Sequence, residues 1–121
     1  RQLVRGAVLK GGLGVFQGKF LVKQSAQGSD AAMKHNALLL EDGAEVNAKP
    51  ELEIYADDVE CAHGNTSGAL DANQMFYMRQ RGIAEEEARA LLTEAFIAEA
   101  LEEAGELEDV LREQARAWLA R

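Results

Sequence analysis

The chain has 121 residues, 21 of them acidic against 13 basic, for a formal charge of −8. That balance argues against a general nucleic-acid or anionic-membrane binder, and apolar runs the size of Ala37-Leu-Leu-Leu40 are far too short to cross a bilayer. The single cysteine, Cys61, cannot close an internal disulfide and suits a reducing cytoplasm, while the length allows one small domain with a modest core.

Residues 1–68 hold nine of the eleven glycines and the only proline. They break into short apolar runs, Leu3–Leu9, Gly14–Val22, Ala37–Leu40, Leu52–Tyr55 and Val59–Ala62. Turn-forming groups separate these runs: Gly11-Gly12, Gly28-Ser-Asp30, Asp42-Gly43 and Lys49-Pro50. Short strands without helical periodicity predict a β body, and small-residue corners such as Gly43-Ala44 fit rungs of a β-solenoid. No strict repeat accompanies them, so a compact sandwich edge is the alternative. The chain starts without Met inside strand-like sequence, and a piece of a longer protein is expected.

From Asp71 the pattern turns helical. Asp71 and Gln74 predict a capping box, with the helix running through Met75–Met78 as core and ending at Gly82 as the glycine past the C-cap. A second helix is predicted over about 84–103, its apolar face Ala88, Leu91, Leu92, Ala95 and Phe96, its start marked by Glu85-Glu-Glu87. A third follows Gly105, with Leu107, Val110, Leu111, Ala115 and Trp118 on one stripe and Glu108–Arg112 as an i,i+4 pair.

The most reactive segment is Ala56-Asp-Asp-Val-Glu-Cys-Ala-His-Gly-Asn-Thr66. Strand alternation places Asp57, Val59, Cys61 and His63 on one face and Asp58 with Glu60 on the other, so the adjacent aspartates do not form a catalytic pair. A thiolate and an imidazole two residues apart can reach a soft or borderline metal such as iron or zinc, but two ligands do not close a site. Spacing alone also allows Cys61 as a small core residue and His63 as a strand-end residue bonded to backbone. His35 is expected to be exposed or backbone-bonded. Gly11-Gly-Leu-Gly14 lacks the Lys-Ser/Thr of a phosphate loop and leads into strand, so nucleotide binding by this chain is not expected.

Over nearly its whole length the chain resembles the SufB/SufD family of iron–sulfur cluster assembly proteins. The shared segments are Gly14-Val-Phe-Gln-Gly18, Ala26-Gln-Gly-Ser-Asp-Ala31, Asn36-Ala-Leu-Leu-Leu40, Lys49-Pro-Glu-Leu-Glu-Ile54, Ala56-Asp-Asp-Val59, Cys61-Ala-His-Gly64 and Phe76-Tyr-Met-Arg-Gln-Arg-Gly-Ile83. The resemblance implies a mainly β fold with α: the end of a right-handed parallel β-helix core over 1–68, then a C-terminal helical domain over 69–121. It also implies a SufB-like partner at the β-helix end and a SufC-like ATPase docked on the helical domain, with Phe76, Tyr77, Arg79, Arg81 and Gly82 as docking candidates. His63 matches a histidine at the SufB–SufD interface implicated in building the nascent cluster, with Cys61 beside it. Gly64 stands where SufB-type chains carry glutamate, which favours the SufD side and removes one carboxylate. Asn65 replaces a commoner alanine, Glu60 a frequent lysine, and Ala84 the usual polar N-cap.

The expected function is therefore a non-catalytic scaffold, with an iron–sulfur cluster held transiently and shared with the partner, and none on the isolated chain. Self-pairing through the open β-helix end is a further expectation, because unpaired rung edges invite it. The alternatives are a β-solenoid acyltransferase or carbohydrate-cleaving enzyme and a plain self-associating module. Against the first stand the missing hexapeptide repeat and the mere seven aromatics, mostly in apolar patterns.

Overall fold

The computed structural model describes residues 1–120. The chain divides into two compact units, residues 1–67 and a second that begins at Gly68. Strand and helix take comparable shares, so the fold is mixed β and α with parallel strand pairing. Among the described residues no helix is long and apolar enough to cross a membrane.

The first unit is built on five strands, the last of which ends on the first residue of the second unit: β1 (Gln2–Val8), β2 (Leu13–Val22), β3 (Ser29–Leu39), β4 (Glu45–Ile54) and β5 (Val59–Gly68). Successive strands alternate between two sheets, ordered β1-β3-β5 and β2-β4. β1 lies parallel to β3 from Gln2 opposite Met33 to Val8 opposite Leu39. β2 lies parallel to β4 from Leu13 opposite Glu45 to Val22 opposite Ile54. Parallel neighbours need a crossover, and here each crossover is the strand of the other sheet.

Two strands are longer than their apolar runs suggested. Ser29–Asn36 extends β3, and the predicted turn at Lys49-Pro50 lies inside β4. Polar residues interrupt both segments, alternating with small or apolar ones along β4, so a search for continuous apolar runs misses them. Pro50 is tolerated because of its position in the ladder. Glu45 N donates to Gly12 O at 3.0 Å and Tyr55 N to Val22 O at 2.8 Å, so odd-numbered residues of β4 turn their N–H groups toward β2. By alternation the nitrogen of Pro50 faces the open side, where no strand needs a donor.

Along β2, Gly14, Phe16, Gly18, Phe20 and Val22 are less exposed than the residues between them, a half-buried strand with period two. From β3, Met33, His35, Ala37 and Leu38 are buried. Met33 is only 1% exposed, and burial of such a side chain stabilises by about 1.5–3 kcal/mol. A Cβ on Gly18 would stand 2.6 Å from Met33 Sδ and 2.7 Å from Phe16 Cζ, so glycine leaves room for both side chains. On the outer face Leu13, Val15 and Leu21 stay exposed, and Lys19 pairs with Glu53, which also accepts from the Tyr55 hydroxyl.

The second unit holds α1 (Ala72–Gln80), α2 (Glu85–Ala98) and α3 (Glu108–Leu119), with short 3₁₀ turns at Glu99–Leu101 and Gly105–Leu107. α1 starts at Asp71, whose Oδ1 accepts from Asn73 N at 2.7 Å and Gln74 N at 3.1 Å. This is the forward half of the predicted capping box. The helix ends in a Schellman motif: Gly82 N donates to Arg79 O at 3.0 Å and Ile83 N to Met78 O at 3.4 Å. Gly82 has φ +84°, which glycine adopts without a Cβ penalty. α2 begins at Ala84 with no side-chain cap, its first turn carrying Glu85, Glu86 and Glu87.

The buried stripes of α2 and α3 are narrower than predicted. Ala88, Thr93 and Ala98 are buried, while Leu91 and Ala95 are exposed. On α3, Leu111 and Ala115 are half-buried, whereas Leu107, Val110 and Trp118 are exposed. Three short helices cover only part of each apolar arc and leave the rest on the surface. Arg116 reaches from α3 to Glu94 on α2 through Nε at 2.9 Å and NH2 at 2.5 Å, and Glu108–Arg112 forms the expected pair at 2.7 Å.

Candidate functional site

Cys61 and His63 lie in the first half of β5, at the edge of the three-stranded sheet, where β3 is the only neighbouring strand among the described residues. Cys61 is half-buried and free, and His63 is exposed. Val59 and Cys61 are less exposed than Glu60 and Ala62, as the predicted alternation has it, but His63 is exposed and Gly64 half-buried, so the burial pattern does not carry that alternation on to His63. Asn65, on the same parity as Cys61 and His63, hydrogen-bonds the buried ring of His35, so this row faces the side on which His35 lies.

The strand is tied to β3 and the turn before it at both ends. At its entry, Gln27 Oε1 accepts from Asp57 N at 3.2 Å and Asp58 N at 2.9 Å, while Gln27 Nε2 donates to Gln24 O at 2.9 Å. Gly28 N donates to Asp58 O at 2.6 Å. Asp57 and Asp58 thus form a bend ahead of the strand and do not extend its faces. Farther along, His35 Nδ1 donates to Asn65 Oδ1 at 2.8 Å, and Asn36 Nδ2 donates to Thr66 Oγ1 at 2.5 Å. These contacts advance together along the two segments, so β5 runs parallel to β3.

His35 departs from expectation. It is 5% exposed and inside β3, and its ring stacks on Phe16 with centroids 4.5 Å apart and planes 5° from parallel. A histidine among turn-like residues looks exposed in sequence. Its placement opposite Val4 and against a strand of the other sheet is set by long-range pairing. Gln27, His35 and Asn36 were not legible as neighbours of the candidate strand. The available signal was a separation near 30 residues, similar to the 31 and 32 between paired residues of β1–β3 and β2–β4.

A soft thiol and an imidazole on one face are donors for iron, yet an iron–sulfur cluster takes more ligands than two. Among the described residues no three His, Cys, Asp or Glu side chains gather as a metal cage. The chemistry available to β5 alone is partial ligation.

The helical candidates belong to the second unit. Phe76 and Tyr77 were expected as helix core but are 63% and 56% exposed, because α1 buries none of its residues. The Arg81 guanidinium lies over the Tyr77 ring, 4.2 Å from its centroid, and also donates to the Tyr77 hydroxyl. Arg79 pairs with Glu85 at 2.7 Å, bridging α1 and α2 across the Gly82 turn. The surface therefore presents two aromatic rings, one braced by a cation.

Residues 1–96 match the family model described as SUF system FeS cluster assembly, SufBD core domain. The chain is similar to the iron–sulfur cluster assembly protein SufD of Escherichia coli, at 47% identity over 84% of this chain and 24% of that protein. It is 46% identical to an iron–sulfur cluster assembly SufBD family protein of Synechocystis, over 74% of this chain and 20% of the relative. Protein ABCI7, chloroplastic, of Arabidopsis thaliana is 42% identical over 87% of this chain and 22% of its own length. The chain thus spans about a quarter or less of the curated relatives it matches.

Proposed function

The chain belongs to the SufB/SufD family of the SUF iron–sulfur cluster assembly system, on the SufD side, and from that premise we propose that it acts as a non-catalytic scaffold. In this role β5 presents His63, with Cys61 beside it, to a SufB-like subunit that supplies the remaining cluster ligands. The cluster is cargo, held transiently between the two subunits, and the isolated chain holds none.

The observation that carries this reading is the edge position of β5 with two iron-compatible donors two residues apart and, among the described residues, no third ligand gathered around them. An incomplete donor set at an open strand edge fits a site completed by another chain. The alternating parallel ladders, each strand pairing with the one two places before it, support a right-handed parallel β-helix over 1–68 with β5 in its last rung. Pairing at that open end serves the SufB-like subunit in the complex and a second copy of this chain in its absence. The helical domain, 69–121, docks a SufC-like ATPase through Phe76, Tyr77, Arg79, Arg81 and the Gly82 turn, and transmits its motion to the core. The exposed rings of α1 and the uncovered apolar strip of α3 support that role. A reducing compartment such as the cytoplasm suits the free thiol.

The test is anaerobic co-expression of the whole protein with its SufB-like and SufC-like partners, comparing wild type with His63→Ala for iron–sulfur absorbance. The expected result is a complex that assembles normally and loses most of its cluster signal. Undiminished absorbance in an intact complex makes His63 structural and refutes its place in the site.

A further inference from the structure

We propose that Gln27, His35 and Asn36 are positioning residues that lock the register of β5 and so decide which face His63 presents. The inference rests on the reading of His63 as a site residue. Among the described residues β5 has a strand on one side only, and such edges are the first parts of a sheet to open. A slip of one residue would also turn every side chain of the strand to the opposite face, carrying His63 and Asn65 together away from the side on which His35 lies.

The contacts to β3 oppose both events. His35 is buried against Phe16, and a buried imidazole needs a hydrogen-bond partner. Asn65 supplies it from β5. Adjacent residues of a strand face opposite sides, so Asn36–Thr66 makes a second contact on the other surface of the sheet. A slip by one residue separates both pairs at once. At the entry, Gln27 accepts from two successive backbone N–H groups, while its amide nitrogen is held by Gln24 O, which leaves the side chain little freedom. His63 lies between these two sets of contacts, five residues past Asp58 and two before Asn65.

The experiment compares wild type, Gln27→Ala, Asn65→Ala, Asn65→Asp, His63→Ala and the double variant of His63→Ala with Asn65→Ala in the whole protein assembled with its SUF partners. Asn65 is exposed, so its variants are expected to fold, and aspartate keeps an oxygen that accepts from His35. Backbone hydrogen exchange over residues 60–64 is expected to quicken about tenfold in each alanine variant at the clamps, as loss of one ordinary hydrogen bond implies, and to return toward wild type in Asn65→Asp. Iron–sulfur absorbance should fall and recover in the same order, and Asn65→Ala should add nothing in the His63→Ala background. Unchanged exchange in both alanine variants overturns the proposal. So does faster exchange with full absorbance while His63→Ala loses it, since the contacts are then structural only. If His63→Ala itself keeps the cluster, the site reading fails, and the positioning role falls with it.

Discussion

Gly18 on β2 lies directly opposite Pro50 on β4, an unusual pair for the middle of a ladder. Each is there for a separate reason. Pro50 turns its donor-free nitrogen to the open side of β4, and Gly18 yields its Cβ space to Met33 and Phe16. Gly18→Ala is therefore expected to destabilise the protein by about 1–3 kcal/mol through overpacking against a buried methionine. Gly6 supplies the contrast, since a Cβ there meets nothing within 4 Å and needs no left-handed backbone. Gly6→Ala should be neutral or stabilise by up to about 1 kcal/mol. Urea unfolding of the two variants separates them, and equal effects would refute this account of the core.

The caps of α1 and α2 predict opposite outcomes. Asp71→Ala removes the acceptor for Asn73 N and Gln74 N and should cost about 1 kcal/mol. Ala84 has the extended backbone of an N-cap, φ −61° and ψ 151°, with no side-chain acceptor. Ala84→Ser should stabilise by about 0.5–1 kcal/mol, read as a higher midpoint in thermal unfolding. A drop in midpoint for Ala84→Ser would show that the side chain at 84 meets something the helix start cannot spare.

Gly82→Ala places a Cβ on a residue at φ +84° and should cost about 1–2 kcal/mol, although the space around it is open. The penalty is local to the end of α1, so amide exchange at Arg81–Ile83 should rise. A wild-type midpoint and exchange profile would refute the strain argument.

Acid should loosen α3 from α2. The hydrogen-bonded Arg116 guanidinium holds the Glu94 carboxyl below the usual carboxylate range, against a smaller opposing effect of burial. A carboxyl depressed on folding contributes stability that is complete above its unfolded pKa and lost as pH falls through the folded one. The effect should thus appear below about pH 4.5 and be small, because Glu94 is only half-buried and its exposed partner Arg116 is screened by salt. Glu94→Gln should flatten that part of the pH profile of thermal unfolding, and an unaltered profile would show that the pair contributes nothing.

Phe76→Ala tests docking apart from folding. With the ring 63% exposed, stability should change by no more than about 0.5 kcal/mol. If the ring anchors the ATPase, affinity should fall by about tenfold or more, measured by titrating the ATPase onto the purified complex. Unchanged affinity removes Phe76 from the docking surface.

The sequence by itself determined the change from strand to helix near residue 68, the caps at Asp71 and Gly82, the Glu108–Arg112 pair and the family. Each is written in local chemistry: turn residues, a capping carboxylate, an i,i+4 spacing, or ordered motifs such as Cys61-Ala-His-Gly64. Only the tertiary structure decided that Lys49-Pro50 is strand, that His35 is buried on Phe16, and that Trp118 and Phe76 stay on the surface. These depend on which segment lies opposite another some 30 residues away, and on how much of each helix a neighbour covers. Parallel pairing joins residues distant in sequence by backbone bonds that any side chain can make, so the partners of β5 leave no local trace.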